Sequence, residues 1–443
     1  VTGRQGTVES EGEAFMASQS TQAPSLAAPQ GCLAPDGSTL LSVEEACSRI
    51  IEATRPLGVM RIGLGNALGR ALAEDIVASR AHPPAAVAAM DGYAIRSADA
   101  LSLPVKLRKV GASKAGARFE GKVLAGNCVR IFTGATLPDG ADTIALQEDA
   151  SEFGDNVEIR KVPEPGRHIR PAGTSHSAGQ VCLARGRVLT ARDISVMASC
   201  GYADVPVRRK PRVAILATGD ELVDPGGSPG PDQIFGSNNA AIAAAVAAWG
   251  GEPIDLGIAP DRIEAIAEAV NGAIGADLLV TTGGASVGEH DLVRNALATR
   301  GFTPGFWKVA MRPGKPVIFG TIGEMPVLGL SGNPVSALVS ALMFLRPAIR
   351  AMLGLPPKQA IFEQAVLGAA MPDNQLREDY VRARLERDPD GKLIAIPFPT
   401  QDSAMLLTLA NADGLIRRRP RAPPAPKGTW IDVIVFDHLG SPF

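Results

Sequence analysis

Between Ala276 and Asp291 the chain reads ADLLVTTGGASVGEHD, its densest run of anion-binding chemistry. An apolar, β-branched strand, Leu278 to Thr281, breaks into Gly283-Gly284 and then into a segment that opens a helix. Glycines carry no Cβ and let backbone come close to a ligand. The hydroxyls of Thr281, Thr282 and Ser286 can donate to an anion, and the free N–H groups of a helix start favour negative charge. Glu289 and Asp291 follow with carboxylates able to hold a divalent cation. Together they imply a phosphorylated, metal-assisted ligand, although a tight turn without a ligand reads the same way when taken alone.

Two further turns repeat the theme. MRPGKP, Met311 to Pro316, leads into a strand at Val317 to Phe319, so Arg312 and Lys315 flank a turn that can set two cations beside a phosphate. GLSGNPVSA, Gly329 to Ala337, ends a strand at Leu330, offers Ser331 or Asn333 as cap, and places Pro334 at the first helical position, where its missing N–H costs nothing. That helix is expected to run to about Leu353. ATGDEL adds Asp220 and Glu221 after another strand, where a ligand role and a helix-start carboxylate role are equally open.

A sheet must position these turns. Val213 to Leu216, Pro253 to Gly257 and Leu278 to Thr282 alternate with helical runs at Asn238 to Trp249 and Arg262 to Ile274. That alternation predicts a doubly wound parallel-sheet α/β domain over 209–356, helices on both faces, with ligands at the carboxyl ends of its strands. Short strands at Val105 to Val110, Val129 to Phe132, Thr143 to Leu146 and Val157 to Ile159, punctuated by glycine and proline, predict an inserted β-rich domain over 78–179. It is set into a discontinuous helical and extended domain, 40–77 and 180–208, whose first helix is capped by Ser42. Residues 357–443 return to short strands and predict a small C-terminal β-barrel with no catalytic cluster, in which Arg417, Arg418 and Arg419 read as a solvated turn. Residues 1–39, rich in Ser, Gln, Gly, Ala and Pro, read as a disordered extension opening on Val1, with Met16 a possible start.

Composition bounds the function. The 443 residues exceed one hydrophobic core, and 44 basic against 46 acidic residues give no nucleic-acid or membrane signal. Five widely spaced cysteines suggest neither a disulfide framework nor a paired-cysteine metal site. No apolar run approaches the ~20 residues of a membrane helix. A cytoplasmic protein is expected.

Taken together, TTGGASVGEHD, MRPGKP and LSGNPVSALV, with MDGYAI at Met90, RIFTGATLPDGADT at Arg130 and RKPRVAILATGDEL at Arg209, resemble the molybdopterin molybdenumtransferases, the family that includes the gephyrin E domain. The resemblance covers roughly residues 40–436. It implies molybdenum cofactor biosynthesis: insertion of molybdate into adenylylated molybdopterin, with magnesium and release of AMP. It implies catalytic roles for Asp91, Asp291, Lys308, Arg312 and Lys315, and Asp91, Glu289 and Asp291 as metal ligands. The ligand would be held by Thr218, Gly219, Asp220, Glu221, Thr282, Gly283, Gly284, Ser286, Pro313, Gly314, Ser331, Gly332, Asn333 and Pro334. It also implies a homodimer in which Asp91, itself readable as a plain Asp-Gly turn, reaches the partner's α/β domain. A pterin adenylyltransferase and molybdoenzyme chaperones are the implied further partners.

The chain departs from the family pattern at three places. Ala85-Ala86-Val87-Ala88-Ala89 stands where relatives carry FDxSA, Thr174-Ser175 where they carry a Glu-Asp pair, and Gly236 where they carry Asp. Loss of acids predicts weaker metal binding with the phosphate turns intact, so a molybdopterin-binding carrier is the alternative to the enzyme; a pterin adenylyltransferase fits the extra domains less well. His176 could partly substitute as a ligand or proton carrier, although a lone loop histidine more often faces solvent.

Overall fold

A computed structural model describes residues 32–33, 39–284, 292–356 and 362–436. At its centre a six-stranded sheet is built from β1 (Arg212–Thr218), β2 (Glu252–Ala259), β3 (Leu278–Thr282), β4 (Phe302–Lys308), β5 (Pro316–Ile322) and β6 (Met325–Leu330), in the order β2-β1-β3-β6-β5-β4. Helices α1 (Asn238–Ala248), α2 (Ile263–Val270), α3 (Leu292–Ala298) and the helical run α4 (Pro334–Met352) cover it. In β1 the side chains alternate between two cores. Val213 and Ile215 pack with Val280 and Leu328 on the α1 and α4 side, while Ala214 and Leu216 pack with Leu279, Ile266 and Val293 on the other. Burial on both faces is why the strand reads as an unbroken apolar run.

The sheet is mixed, which corrects the expectation of a purely parallel one. β2, β1, β3 and β6 run parallel, whereas β5 and β4 are antiparallel additions at one edge. Connection length decides this: Ile322 pairs with Met325 across a Gly323-Glu324 turn, and so short a link cannot carry the chain back for a parallel pairing. α4 ends at Met352, next to the expected end near Leu353. It continues through wider π-type turns at Ala341–Leu345 into Arg346–Met352, and among the described residues it is the one helix long and apolar enough to cross a membrane. Most of it is buried against the sheet. Arg346 sits inside, where burial lowers its guanidinium to about 10.

The other units pack around this centre. Helix Val43–Glu52 is capped by Ser42, whose Oγ accepts from Glu45 N at 3.1 Å, and buries Ala46, Cys47 and Ile50 in the same core as α4. Strand Val59–Gly63 pairs with Asp204–Arg208, and Ile76–Val77 with Val181–Leu183. The chain between the second pair forms a six-stranded sheet that includes Gly92–Ile95, Asn127–Ile131 and Val105–Ser113. Within the segment read as a disordered extension, Cys32–Leu33 pairs with Thr39–Leu40 as a short ribbon. Residues 1–31, including Met16, lie outside the described residues.

The C-terminal strands close into a ring, because Gly414–Arg418 pairs with both Glu378–Arg387 and Trp430–Val435. This corrects the reading of Arg417–Arg419 as a solvated turn. Arg417 and Arg418 lie on that closing strand. Arg417 Nε donates to Glu378 Oε1 at 2.7 Å, and Tyr380 Oη donates to the same oxygen at 2.6 Å. Arg418 is buried and donates to the Pro372 and Pro423 carbonyl oxygens. Arg419 alone faces solvent. Three adjacent arginines look solvated in a sequence, but neighbours in a strand point to opposite faces, and here both faces are covered: Leu415 packs in the central core and Ile416 in the barrel core. Glu378 is buried and Arg417 half-buried, so removing the carboxylate leaves the guanidinium without its charge partner. Glu378→Ala is expected to destabilise the barrel by roughly 1–3 kcal/mol, seen as an early transition in urea unfolding, and an unshifted transition would deny the pair that role.

Candidate functional site

β1, β3 and β6 stop at one rim of the sheet, and the turns that follow them face a crevice of about 780 Å³. Its floor is glycine for a steric reason. A Cβ on Gly283 (φ 94°) would lie 2.3 Å from the Thr218 carbonyl oxygen, and one on Gly284 (φ 61°) would lie 2.3 Å from Val293 Cγ2. Beside them Thr218 Oγ1, Thr282 Oγ1 and Asn238 Oδ1 are buried with no hydrogen-bond partner among the described residues. Buried polar atoms are normally paired, so three unsatisfied ones around one hollow are able to pair with ligand atoms.

Opposite this floor stands a cationic wall. Lys315 lines the crevice, and its turn is pinned by Val309 N donating to the Lys315 carbonyl oxygen at 3.0 Å. Arg312 is held from behind by Asp379 of the barrel, Nε to Oδ1 at 2.9 Å with a second bond from Nη2 to Oδ2. Burial pushes the Asp379 carboxyl up, and Arg312 pulls it back toward the charged form. Arg377 adds a third cation, its guanidinium lowered first by burial and then by repulsion from Arg312.

The remaining side is acidic. Glu221 and Asp261 line the crevice where β1 and β2 end, and Asp220 Oδ1 accepts from Asp261 N at 3.0 Å. Burial, then the charges of Asp220 and Glu221, push the Asp261 carboxyl above its ordinary range. No helix begins at Asp220-Glu221; the chain turns into a short strand, Leu222–Val223, so the helix-start alternative is removed. The barrel also braces the third turn. Asn333 stands at the cap position of α4 but donates its amide to Ser403 Oγ at 3.1 Å, while the Ser403 carbonyl oxygen accepts from Val335 N at 3.2 Å.

The crevice thus brings together Thr218, Glu221, Thr282, Gly283, Gly284, Arg312, Pro313, Gly314, Lys315, Ser331, Gly332, Asn333 and Pro334. Gly219 and Asp220 lie just behind its lining. Lys308 ends β4 opposite Pro316, outside the lining. Ser286, Glu289 and Asp291 lie outside the described residues. Asp91 stands in the bend just before strand Gly92–Ile95 of another sheet, where its Oδ1 accepts from Thr133 N and Thr133 Oγ1, both at 2.7 Å. Those bonds hold its carboxyl below the usual range.

Sequence reasoning missed Asp261, although IAPDR follows a strand as ATGDEL does. It also missed Arg377, Gln401 and Ser403, which reach the crevice only because the barrel docks there and which carry no local signal. Of the departed positions, Ala86, Thr174 and Ser175 lie away from the crevice, in turns of the β-rich region. Gly236 lines a smaller hollow of about 110 Å³ beside it. His176 is buried rather than solvent-facing.

Three family profiles match in sequence: the MoeA N-terminal region (domain I and II) over residues 41–201, a probable molybdopterin binding domain over 214–351, and the MoeA C-terminal region (domain IV) over 364–436. The molybdopterin molybdenumtransferase of Haemophilus influenzae is 36% identical over 408 residues, covering 90% of this chain and 100% of that protein. Molybdopterin molybdenumtransferase 2 of Mycobacterium tuberculosis is 34% identical over 385 residues, covering 85% of this chain and 94% of that protein. The crystal structure of a molybdopterin biosynthesis MoeA protein from Pyrococcus horikosii superposes with a TM-score of 0.80 at 28% identity, over 90% of this chain and 99% of that one. With its motifs, its fold and near full-length similarity in agreement, the chain belongs to the molybdopterin molybdenumtransferase family.

Proposed function

We propose that this chain is a transferase of molybdenum cofactor biosynthesis that inserts molybdate into adenylylated molybdopterin and releases AMP. The observation that carries this reading is the trio of unpartnered buried oxygens, Thr218 Oγ1, Thr282 Oγ1 and Asn238 Oδ1, around a glycine floor. The two hydroxyls can donate to phosphate, and the asparagine oxygen can accept from a ring N–H. Lys315, with Arg312 held in place by Asp379, neutralises charge that builds on phosphate oxygens as the phosphoanhydride opens. A cytoplasmic setting fits the free thiols among the described cysteines. Upstream supply by a pterin adenylyltransferase and uptake by molybdoenzyme chaperones complete the proposal.

We assign a divalent cation to the acidic side. Burial, then the charges of Asp220 and Glu221, raise the Asp261 carboxyl, and a cation held between Glu221, Asp261 and phosphate oxygens of the ligand would relieve that repulsion. Magnesium bound there would screen the phosphates and polarise the bond that breaks. Asp91 does not line the crevice of its own chain, and Thr133 holds its carboxyl below the usual range. We place it in the crevice of a second copy, which makes the working unit a homodimer with two composite sites.

The direct test incubates the pure chain with adenylylated molybdopterin, molybdate and magnesium. AMP release coupled to molybdenum on the pterin is expected, and tight binding without turnover would sink the proposal. Thr282→Val replaces an unpaired hydroxyl with a methyl group, so folding stability should hold or rise. Ligand affinity should fall by roughly 1.5–3 kcal/mol, about one to two decades by calorimetry, because the hydroxyl meets a charged phosphate. Unchanged affinity would remove Thr282 from the site.

The raised Asp261 carboxyl binds its proton more tightly in the folded state. Folding is therefore favoured below the unfolded value, and that advantage is lost as pH rises through the folded value. Asp261→Asn should raise the melting midpoint at neutral pH without metal, show no gain in acid, and shrink the rise that magnesium gives. A lowered neutral midpoint, or an unchanged magnesium effect, would contradict the assignment.

Asp91→Asn and Lys315→Ala should each cut turnover sharply. Co-expressed, they should recover activity, since a mixed dimer holds one composite site with both native residues. Absence of recovery would separate Asp91 from a shared site.

A further inference from the structure

His176, Cys182 and Cys200 come from three separate pieces of chain and meet in one place. His176 stands where the chain leaves the β-rich region, Cys182 lies on strand Val181–Leu183, and Cys200 closes helix Ala191–Ser199. Their ligand atoms all lie within 4.8 Å of one another, with Cys200 Sγ 4.0 Å from His176 Nε2. His176 is 4% exposed and Cys200 2%, whereas Cys182 is open on one side. None of the three lines the crevice.

The imidazole is oriented rather than loose. Ser175 Oγ lies 3.3 Å from His176 Nδ1, and the His82 ring stacks on it with centroids 5.5 Å apart. His82 N also donates to the His176 carbonyl oxygen at 2.9 Å. An outer hydrogen bond on one ring nitrogen, leaving the other aimed at ligand atoms, is how metal-binding histidines are commonly held. The thiols otherwise meet weak partners: Cys182 Sγ lies 3.7 Å from the Gln180 carbonyl oxygen, and Cys200 interacts with Cys182 itself and with Ser199.

We propose that His176, Cys182 and Cys200 form a zinc site, with water at the fourth position on the open side of Cys182. Two thiolates and an imidazole select a thiophilic ion over magnesium, so this site is chemically separate from the acidic side of the crevice. Tetrahedral zinc with Zn–S of ~2.3 Å and Zn–N of ~2.0–2.1 Å sets neighbouring ligand atoms about 3.6–3.8 Å apart, so closure from the present spacing requires shifts within about 1 Å. On binding, each thiol gives its proton to solvent, and the dication with two thiolates leaves the site neutral. The ion ties the exit of the β-rich region to the strand and the helix that receive it. Its role is to fix that joint.

The experiment strips the full chain with a chelator under a phosphine reductant and titrates it with cobalt(II), then zinc. One equivalent of cobalt should bring a sulfur-to-metal charge-transfer band and the visible bands of a tetrahedral ion, and zinc should abolish them and raise the melting midpoint. Cys182→Ser, at a partly exposed position whose fold is checked by circular dichroism, and His176→Gln should each weaken binding by more than the roughly 10–100-fold that loss of an outer partner costs. The proposal fails if wild type shows no charge-transfer band or if Cys182→Ser keeps it in full. It fails equally if peptide mapping of unreduced protein finds Cys182 and Cys200 joined as a disulfide.

Discussion

The space between the ends of β1 and β3 is the constraint on which the site depends. No side chain fits at residue 283, because its Cβ would press on the Thr218 carbonyl oxygen at 2.3 Å. The backbone there takes a conformation only glycine adopts easily, and the Thr218 and Thr282 hydroxyls are buried without partners among the described residues. A hollow with unsatisfied polar walls is costly in an empty protein and is relieved by a ligand that can accept and donate. Parallel strands impose this place: where they stop, their last amides and hydroxyls face outward together, and the crossover helices leave that rim open.

The cationic wall depends on a joint between units. Met311–Arg312 runs beside Glu378–Asp379 as a two-residue parallel pairing, and the Arg312–Asp379 bond crosses the same seam. Asp379 is buried and would be costly to ionise alone, while Arg312 without it would swing freely over the crevice. Each charge therefore fixes the other, leaving Lys315 as the cation more able to adapt to a ligand. Gln401, whose Oε1 accepts from Arg382 Nε at 3.0 Å, lines the crevice from a barrel core that contains a fully buried arginine. The barrel is thus a rigid abutment for the crevice as well as a domain with its own core.

What could be read from sequence was what is local. TTGG, MRPGKP and SGNP announce themselves through glycine, proline and charge at fixed offsets, and the structure gathers the described parts of all three at one rim. The alternation of strands and helices over residues 209–356 was legible for the same reason. The direction of β4 and β5 was not, because it depends on a turn length that periodicity does not report. Arg417 and Arg418 were misread because three adjacent charges look solvated until a buried Glu378 and two free carbonyl oxygens are placed beside them. His176 looked like a lone loop histidine, since neither Cys182 nor Cys200 stands at a spacing that signals a site; the strand and the helix bring them together.

The replaced acids can now be weighed by position. Ala86, Thr174 and Ser175 lie in the β-rich region that also holds Asp91, away from the crevice lining. Gly236 lies in a side hollow, while Glu221 and Asp261, with Asp220 behind them, keep the acidic side of the crevice intact. In a composite site of the kind proposed, the replaced positions would belong to the region that carries Asp91, while the rim of glycines, hydroxyls and Lys315 would hold the nucleotide end, so the missing acids would bear on the former more than on the latter.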